Sequence, residues 1–374
     1  MVTLSAPGKL MLSGEWSVLE KNVPCIVLAV DQRVRVSIEA SETYHVILED
    51  FNINSRVEVS NQGIKFDIDD PHLDFTRFSM ETAIKYLQEK KVDLKLFKLF
   101  STTEIEAVKG EGDNEMKVGF GSSAAAVIAI IGAILYFHNA FDFSIRDKEL
   151  LFKLGIIAHY YGQGKLGSGF DVAASTFGGA LVYKRFDPDW LQLELSKKSL
   201  LDVLYSTWPI LEHWNIKIPE SLELMVGFTG VSASTRKLVI EMKKFRETDL
   251  DSYQTMISAI KKVTEDLIEE FQTSSKPEKI ITLLDKNRIL LEELSLACSC
   301  HLEIQPHQLM SSIASKYGAV AKFSGAGGGD CSIGVSFDKK IAETVLGEWE
   351  QHGIIIINIK ITMEGIRIEN ESFP

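Results

Sequence analysis

Apolar and polar positions repeat in two ways along this chain, and the change from one period to the other divides it. Residues 23–38 are apolar at first and then alternate at Val34, Val36 and Ile38, which predicts a strand entering a half-exposed sheet. Across residues 52–68 a similar alternation is interrupted at Asn61, Gln62 and Gly63, the signature of a hairpin. Ala83, Ile84, Tyr86 and Leu87 then fall at helical spacing within residues 80–91. A polar turn at 109–114 leads to a glycine loop, an apolar helix over 124–137 and a second helix over 147–161. Residues 191–218 show no clear period and contain Trp208 and Trp214, so an irregular segment is expected, with a domain boundary near its start. Beyond it, residues 234–245, 250–271 and 277–297 carry apolar side chains every three or four positions, predicting three helices. Short apolar runs at 319–323 and 332–337 predict strands around a second glycine loop, and 354–361 with 366–368 predicts a closing strand pair. The expected division is an N-terminal domain over 1–195 and a C-terminal domain over 196–374.

Composition narrows the function classes. With 45% hydrophobic and 25% charged residues, the chain is globular in type. A net charge of -12 argues against a nucleic-acid surface, which needs clustered Lys and Arg. The apolar run at 124–137 falls short of the roughly 20 residues needed to span a bilayer. The N-terminus shows no apolar core followed by a small-residue cleavage site, so no secretory signal is read there and a cytoplasmic location is expected. Cys25, Cys298, Cys300 and Cys331 lack zinc-ligand spacing, and a structural role in a reducing compartment is expected of them.

Three segments carry the candidate chemistry. Gly119, Phe120, Gly121, Ser122, Ser123 and Ala124 join two glycines to two hydroxyls and the start of a helix, whose free N–H groups attract anions. No G-x-x-x-x-G-K-[ST] phosphate loop occurs, whereas a loose G-x-G-x-x-A dinucleotide pattern does. The dinucleotide reading fails because only a short polar connection follows the helix, leaving no second strand to carry a ribose-binding acid. Near the N-terminus, Ala6-Pro7-Gly8-Lys9 sets a cation beside a turn, with Glu15 close behind; alone, Lys9 reads first as a surface lysine. Asp171 follows the glycine-rich stretch 164–169, and alone reads equally as a helix N-cap. Ser324, Gly325, Ala326 and Gly327 open a loop that continues through Gly328 and Gly329 to Asp330. Such glycine density between apolar strands is conformationally costly and signals close approach of backbone to a ligand.

The three segments, APGKLMLSGEWSVL, GFGSSAA and KFSGAGGGDC, resemble in order and distance the motifs of the GHMP kinase family, from Ser5 to about Gly334. The resemblance implies an α+β, two-domain fold: an N-terminal mixed sheet with helices, a helix-rich ferredoxin-like C-terminal domain, and an active site in the cleft between them. It implies ATP and Mg²⁺, with Lys117 and Gly119 to Ala124 at the triphosphate and Ser123, or less readily Ser122, at the metal. Lys9 and Asp171 would be catalytic, Asp171 also metal-linked. Lys9, Glu15, Ser168, Gly169, Ser232, Ser234, Ser324, Gly325, Ala326 and Gly327 would meet the acceptor, with Lys165, Arg236 and Lys322 as further candidates.

GSGFDVAAS, YKRF and GFTGVSAST look most like the branch of the family that converts (R)-5-phosphomevalonate to mevalonate 5-diphosphate with release of ADP. The alternatives are a family kinase acting on mevalonate, a diphosphomevalonate decarboxylase, and a non-catalytic ATP-binding sensor. The expected partners are ATP and the small-molecule acceptor, not nucleic acid or membrane, with the chain a monomer or homodimer. Phe120 in place of leucine and Glu115-Met116 in place of proline depart from the family pattern.

Overall fold

A computed structural model describes residues 1–60, 63–104, 108–109, 115–116 and 119–369. Its frame is one long strand, Pro24–Ala40, whose 17 residues serve two neighbours in succession along one edge. Ala180–Lys184 pairs with residues 24–28 and Phe97–Thr103 with residues 34–40. Along the other edge runs Val2–Ser13, antiparallel, with Arg367–Ile368 outside it at Leu4 and Ser5. His45–Leu48 lies parallel to Phe97–Thr103 and is followed by the Ile53–Ser60 and Gly63–Phe66 hairpin; Glu212–Ile216 closes the opposite end. Among the described residues this sheet has nine strands of mixed direction.

One face of the sheet is covered by helices. Ser122–Phe137 packs on Val2–Ser13 and Pro24–Ala40 and is flanked by helices Asp74–Glu89, Ile145–Gly162 and Phe170–Phe177. Its apolar character on all sides suits that enclosed position, since an amphipathic helix would leave one face in water. Residues 127–135 are entirely or almost entirely buried. Gly132 is required where the C-terminal segment crosses: a Cβ there would lie 2.3 Å from Ile366 Cδ1.

The C-terminal half has an antiparallel sheet in the order Val320–Phe323, Cys331–Ser336, Glu223–Phe228, Ile355–Ile356. Helices Gln305–Lys316 and Lys339–Gln351 pack on it around the fully buried Trp349, whose Nε1 donates to the Met310 carbonyl at 3.0 Å. Leu250–Thr273 and Pro277–Cys298 form a helical hairpin beside it. Ser13 Oγ and Thr264 Oγ1, 2.8 Å apart, join that hairpin to the first strand of the larger sheet.

Two segments differ from the sequence expectation. Residues 191–218 are ordered as helices Pro188–Lys197 and Leu200–Tyr205 and strand Glu212–Ile216, so the first sheet continues past residue 195. Both helices begin with side-chain caps, Asp187 on Asp189 and Trp190, and Ser199 on Asp202. They are too short to show a period, which is why the segment reads as irregular. The closing strands also do not pair with each other: Ile355–Ile356 joins the second sheet and Arg367–Ile368 the first. The chain therefore ends by crossing back over its own beginning. Arg33 secures the crossing by donating to the Gly365 carbonyl at 2.5 Å and the Ser5 carbonyl at 3.0 Å.

Candidate active site

The three candidate segments converge on one cavity of about 790 Å³. Lys9 sits inside the first strand, where its N–H donates to the Phe120 carbonyl at 2.8 Å and its Nζ to the Gly119 carbonyl at 3.2 Å. The first glycine loop is thus pinned to the first strand by both ends of one residue. Gly121, with φ +73°, precedes helix Ser122–Phe137, and a Cβ on it would lie 3.0 Å from Lys9 Cε. Glycine is needed there twice over, for the left-handed backbone and for the passage of the lysine stem. A Cβ built on Gly325 would lie 4.0 Å from Lys9 Nζ, so the ammonium stands between the two glycine loops.

Asp171 lies in the first turn of helix Phe170–Phe177, preceded by Gly169 at φ +88°. Gly169 itself is structural: a Cβ would meet the Tyr183 hydroxyl at 2.8 Å. Tyr183 donates to the Ser168 carbonyl at 2.6 Å, and Arg185 donates to the Gly167 carbonyl and the Leu19 carbonyl, both at 3.2 Å. These bonds hold the loop before Asp171 against the cavity rim.

Between Ser123 and Asp171 lies His159, on helix Ile145–Gly162. Its Nε2 is 3.1 Å from Ser123 Oγ and 3.6 Å from Asp171 Oδ2, and its ring stacks on Phe75 with centroids 5.3 Å apart. Burial holds His159 below the ordinary imidazole range, Asp171 opposes that and nearby Lys9 adds to it, so the ring is neutral at neutral pH. The trio is not a hydrolase triad. There the carboxylate and the nucleophile take opposite ring nitrogens, whereas here both face the same one.

Asp330 completes the floor. Its backbone has φ +55°, its N–H donates to the Val231 carbonyl at 2.7 Å, and its carbonyl accepts from Thr229 at 2.9 Å. A Cβ on Gly119 would strike its carboxyl group at 2.6 Å, so the first glycine loop rests on it. Burial pushes the Asp330 carboxyl up, countered by Lys9 and the Ala233 N–H.

Of the residues singled out from sequence, Lys9, Gly119, Gly121, Ser122, Ser123, Ser168, Asp171, Ser232, Ser324, Gly325, Ala326 and Arg236 line the cavity. Ser324 also accepts from Met11 N–H at 2.8 Å, tying the last glycine loop to the first strand. Phe120 and Ala124 are buried behind the loop. Ser234 caps helix Thr235–Thr248, and Gly327, at φ +74°, leaves no room for a Cβ against the Leu302 carbonyl at 2.3 Å. Lys165 reaches Gln192 at the surface. Lys117 lies outside the described residues.

Glu15 does not reach the cavity. Its carboxylate is fully buried and paired with the equally enclosed Lys322, whose Nζ also donates to the Phe323 carbonyl at 3.1 Å. Burial pushes the carboxyl up and the ammonium down, outweighing their mutual attraction. The pair therefore shapes the last glycine loop from beneath. His159 and the Asp74, Arg77, Phe78 and Tyr161 wall were not singled out from sequence; a histidine in an apolar helix reads as core, and the wall assembles from two helices distant in sequence.

Ser123 and Asp171 offer hard oxygen donors suited to Mg²⁺, which is commonly held by one or two carboxylates and completed by phosphate and water. Among the described residues no group of three or more His, Cys, Asp or Glu is placed to hold a metal ion. The four cysteines are free thiols. No helix among the described residues is long and apolar enough to cross a membrane.

A glycine loop at a helix start, a cation between two such loops and a carboxylate facing them form a site for moving phosphoryl groups. Residues 79–179 match the family described as GHMP kinases N terminal domain. The likeness to GHMP kinases extends along nearly the whole chain. The chain is similar to the phosphomevalonate kinase of a Streptomyces species, at 28% identity over 96% of this chain and 97% of the relative. It is nearly as similar to the mevalonate kinase of Thermococcus sibiricus, at 27% identity over 99% and 98%. The solved Streptococcus pneumoniae phosphomevalonate kinase in complex with phosphomevalonate and AMPPNP matches with a TM-score of 0.82 and 26% identity, covering 96% of this chain and 99% of that one.

Proposed function

We propose that this protein is an ATP-dependent kinase of the mevalonate pathway that transfers the γ-phosphoryl group to (R)-5-phosphomevalonate, giving mevalonate 5-diphosphate and ADP. The observation that carries the reading is the meeting of Lys9, Ser123 and Asp171 on one cavity between two glycine loops. The acceptor phosphate has a second pKa of about 6, so at neutral pH its attacking oxygen is already mostly deprotonated. That oxygen bonds to the γ-phosphorus, the bond to the β–γ bridging oxygen breaks, and ADP leaves with the electron pair. No side chain has to remove a proton.

The larger obstacle is repulsion between two phosphate-bearing reactants, of several kcal/mol at an effective dielectric of about 20. Lys9 answers it from between the loops, with Arg236 on the cavity wall. Asp171 acts as an orienting and metal-linked group, with Ser123 at the same cation. Mg²⁺, when bound there, would neutralise charge on the phosphates.

Mevalonate is the competing acceptor, because relatives named for either activity are about equally similar. For that alcohol Asp171 would serve as the base, a role worth roughly 10²–10⁴-fold. ADP release measured with purified protein, ATP, Mg²⁺ and each acceptor in turn tests the reading. Faster turnover of phosphomevalonate is expected, and turnover of mevalonate alone refutes it.

A further inference from the structure

The placement of His159 has a chemical consequence. The ring is sealed from solvent, being 1% exposed, and its Nε2 faces both the Ser123 hydroxyl at 3.1 Å and the Asp171 carboxylate at 3.6 Å. A bare nitrogen lone pair there would point at a carboxylate. A hydrogen on Nε2 is attracted to both oxygens, so the electrostatics select the Nε2–H tautomer. Ser123 then accepts from His159, and its own O–H and remaining lone pair are left for the cavity.

We propose that His159 is a positioning residue for phosphoryl transfer, a single buried donor that sets the Ser123 hydroxyl and the Asp171 carboxylate at a fixed separation. The inference rests on the kinase reading for the roles of those two groups. Helix Ile145–Gly162 carries the ring and the Phe75 stack fixes its plane, so the separation is set by packed helices and not by the glycine loops. Asp171 Oδ1 accepts from the Val172 N–H at 2.9 Å, which leaves Oδ2 as the oxygen that His159 steers.

Three variants separate positioning from packing. His159→Gln places an amide N–H at about the reach of Nε2. His159→Asn reaches only as far as Nδ1, and His159→Phe keeps a ring against Phe75 without any donor. With the acceptor that the wild type turns over, His159→Phe and His159→Asn are expected to lose about 10- to 100-fold in kcat, with the KM for ATP within about threefold, as for leaving a buried polar group without its hydrogen-bond partner. His159→Gln should recover most of that loss. A His159→Phe enzyme that melts like wild type and keeps kcat within about threefold overturns the proposal, as does a folded His159→Gln enzyme no better than His159→Phe.

If the wild type turns over no acceptor, the kinase reading fails separately. Calorimetry then decides the positioning role: the gain in ATP affinity on adding Mg²⁺ should shrink at least about fivefold in His159→Phe and persist in His159→Gln, and an unchanged gain overturns it. Should the variants not fold, the tautomer is readable in the wild type by ¹⁵N NMR. Nε2–H is expected, and Nδ1–H overturns the inference.

Discussion

Lys9→Met is the substitution that tests the site most directly, because it removes a charge while keeping the stem that packs along Gly121. Lys9 is 8% exposed and its ammonium stands between the two glycine loops. A phosphate oxygen received there at about 4 Å interacts with it by about 4 kcal/mol at an effective dielectric of about 20. Loss of a comparable oxyanion donor in a closed site costs about 2.7–4 kcal/mol. At 1.36 kcal/mol per tenfold change, these figures predict a fall of about 100- to 1,000-fold in kcat/KM for the acceptor. The assay is coupled ADP release at saturating Mg²⁺-ATP with the acceptor varied, beside a thermal melt. A folded Lys9→Met enzyme within threefold of wild type would refute the placement of Lys9 between the reactants, and with it the account of how repulsion is overcome.

Two further predictions concern stability. Glu15→Leu or Lys322→Met alone strands an unpaired charge in the interior and should cost about 3–5 kcal/mol in chemical denaturation, whereas the double variant should cost less than either single one; single costs that simply add would contradict a coupled pair. Glu303, pushed up to about 7 by burial and Glu292 against the pull of Arg288, stays protonated in the fold at pH values where the unfolded chain ionises. The stability it carries below about pH 4.5 is therefore lost as pH rises through about 7. The rise from 4.5 bounds that loss at about 3 kcal/mol, and solvent at its edge lowers the figure to about 1–2. Glu303→Gln should accordingly be more stable than the parent at pH 8 and equal to it near pH 4.5, and a pH-independent difference would be the wrong outcome.

The reach of sequence reasoning differed among segments for physical reasons. Helices such as Leu250–Thr273 and Pro277–Cys298 repeat their apolar positions over several turns, so their period is plain. Leu200–Tyr205 completes less than two turns and has no period to find. The glycine loops were legible because Gly121, Gly325 and Gly327 adopt left-handed conformations that other residues enter only at a cost. Their neighbours were harder to read: Glu15 resembles a cavity residue in its motif, yet its carboxylate turns inward to Lys322.

By itself, the order of residues determined the local devices: a glycine bend before an apolar helix, a lysine in the first strand, a carboxylate after a glycine-rich turn. These depend on backbone freedom and side-chain chemistry within a few positions. Only the tertiary structure decided that Lys322 belongs to Glu15, 307 positions away, that Asp330 supports Gly119, and that His159 stands between Ser123 and Asp171. Burial and charge pairing depend on which surfaces meet once the sheets and helices pack, and no periodicity along the chain records that meeting.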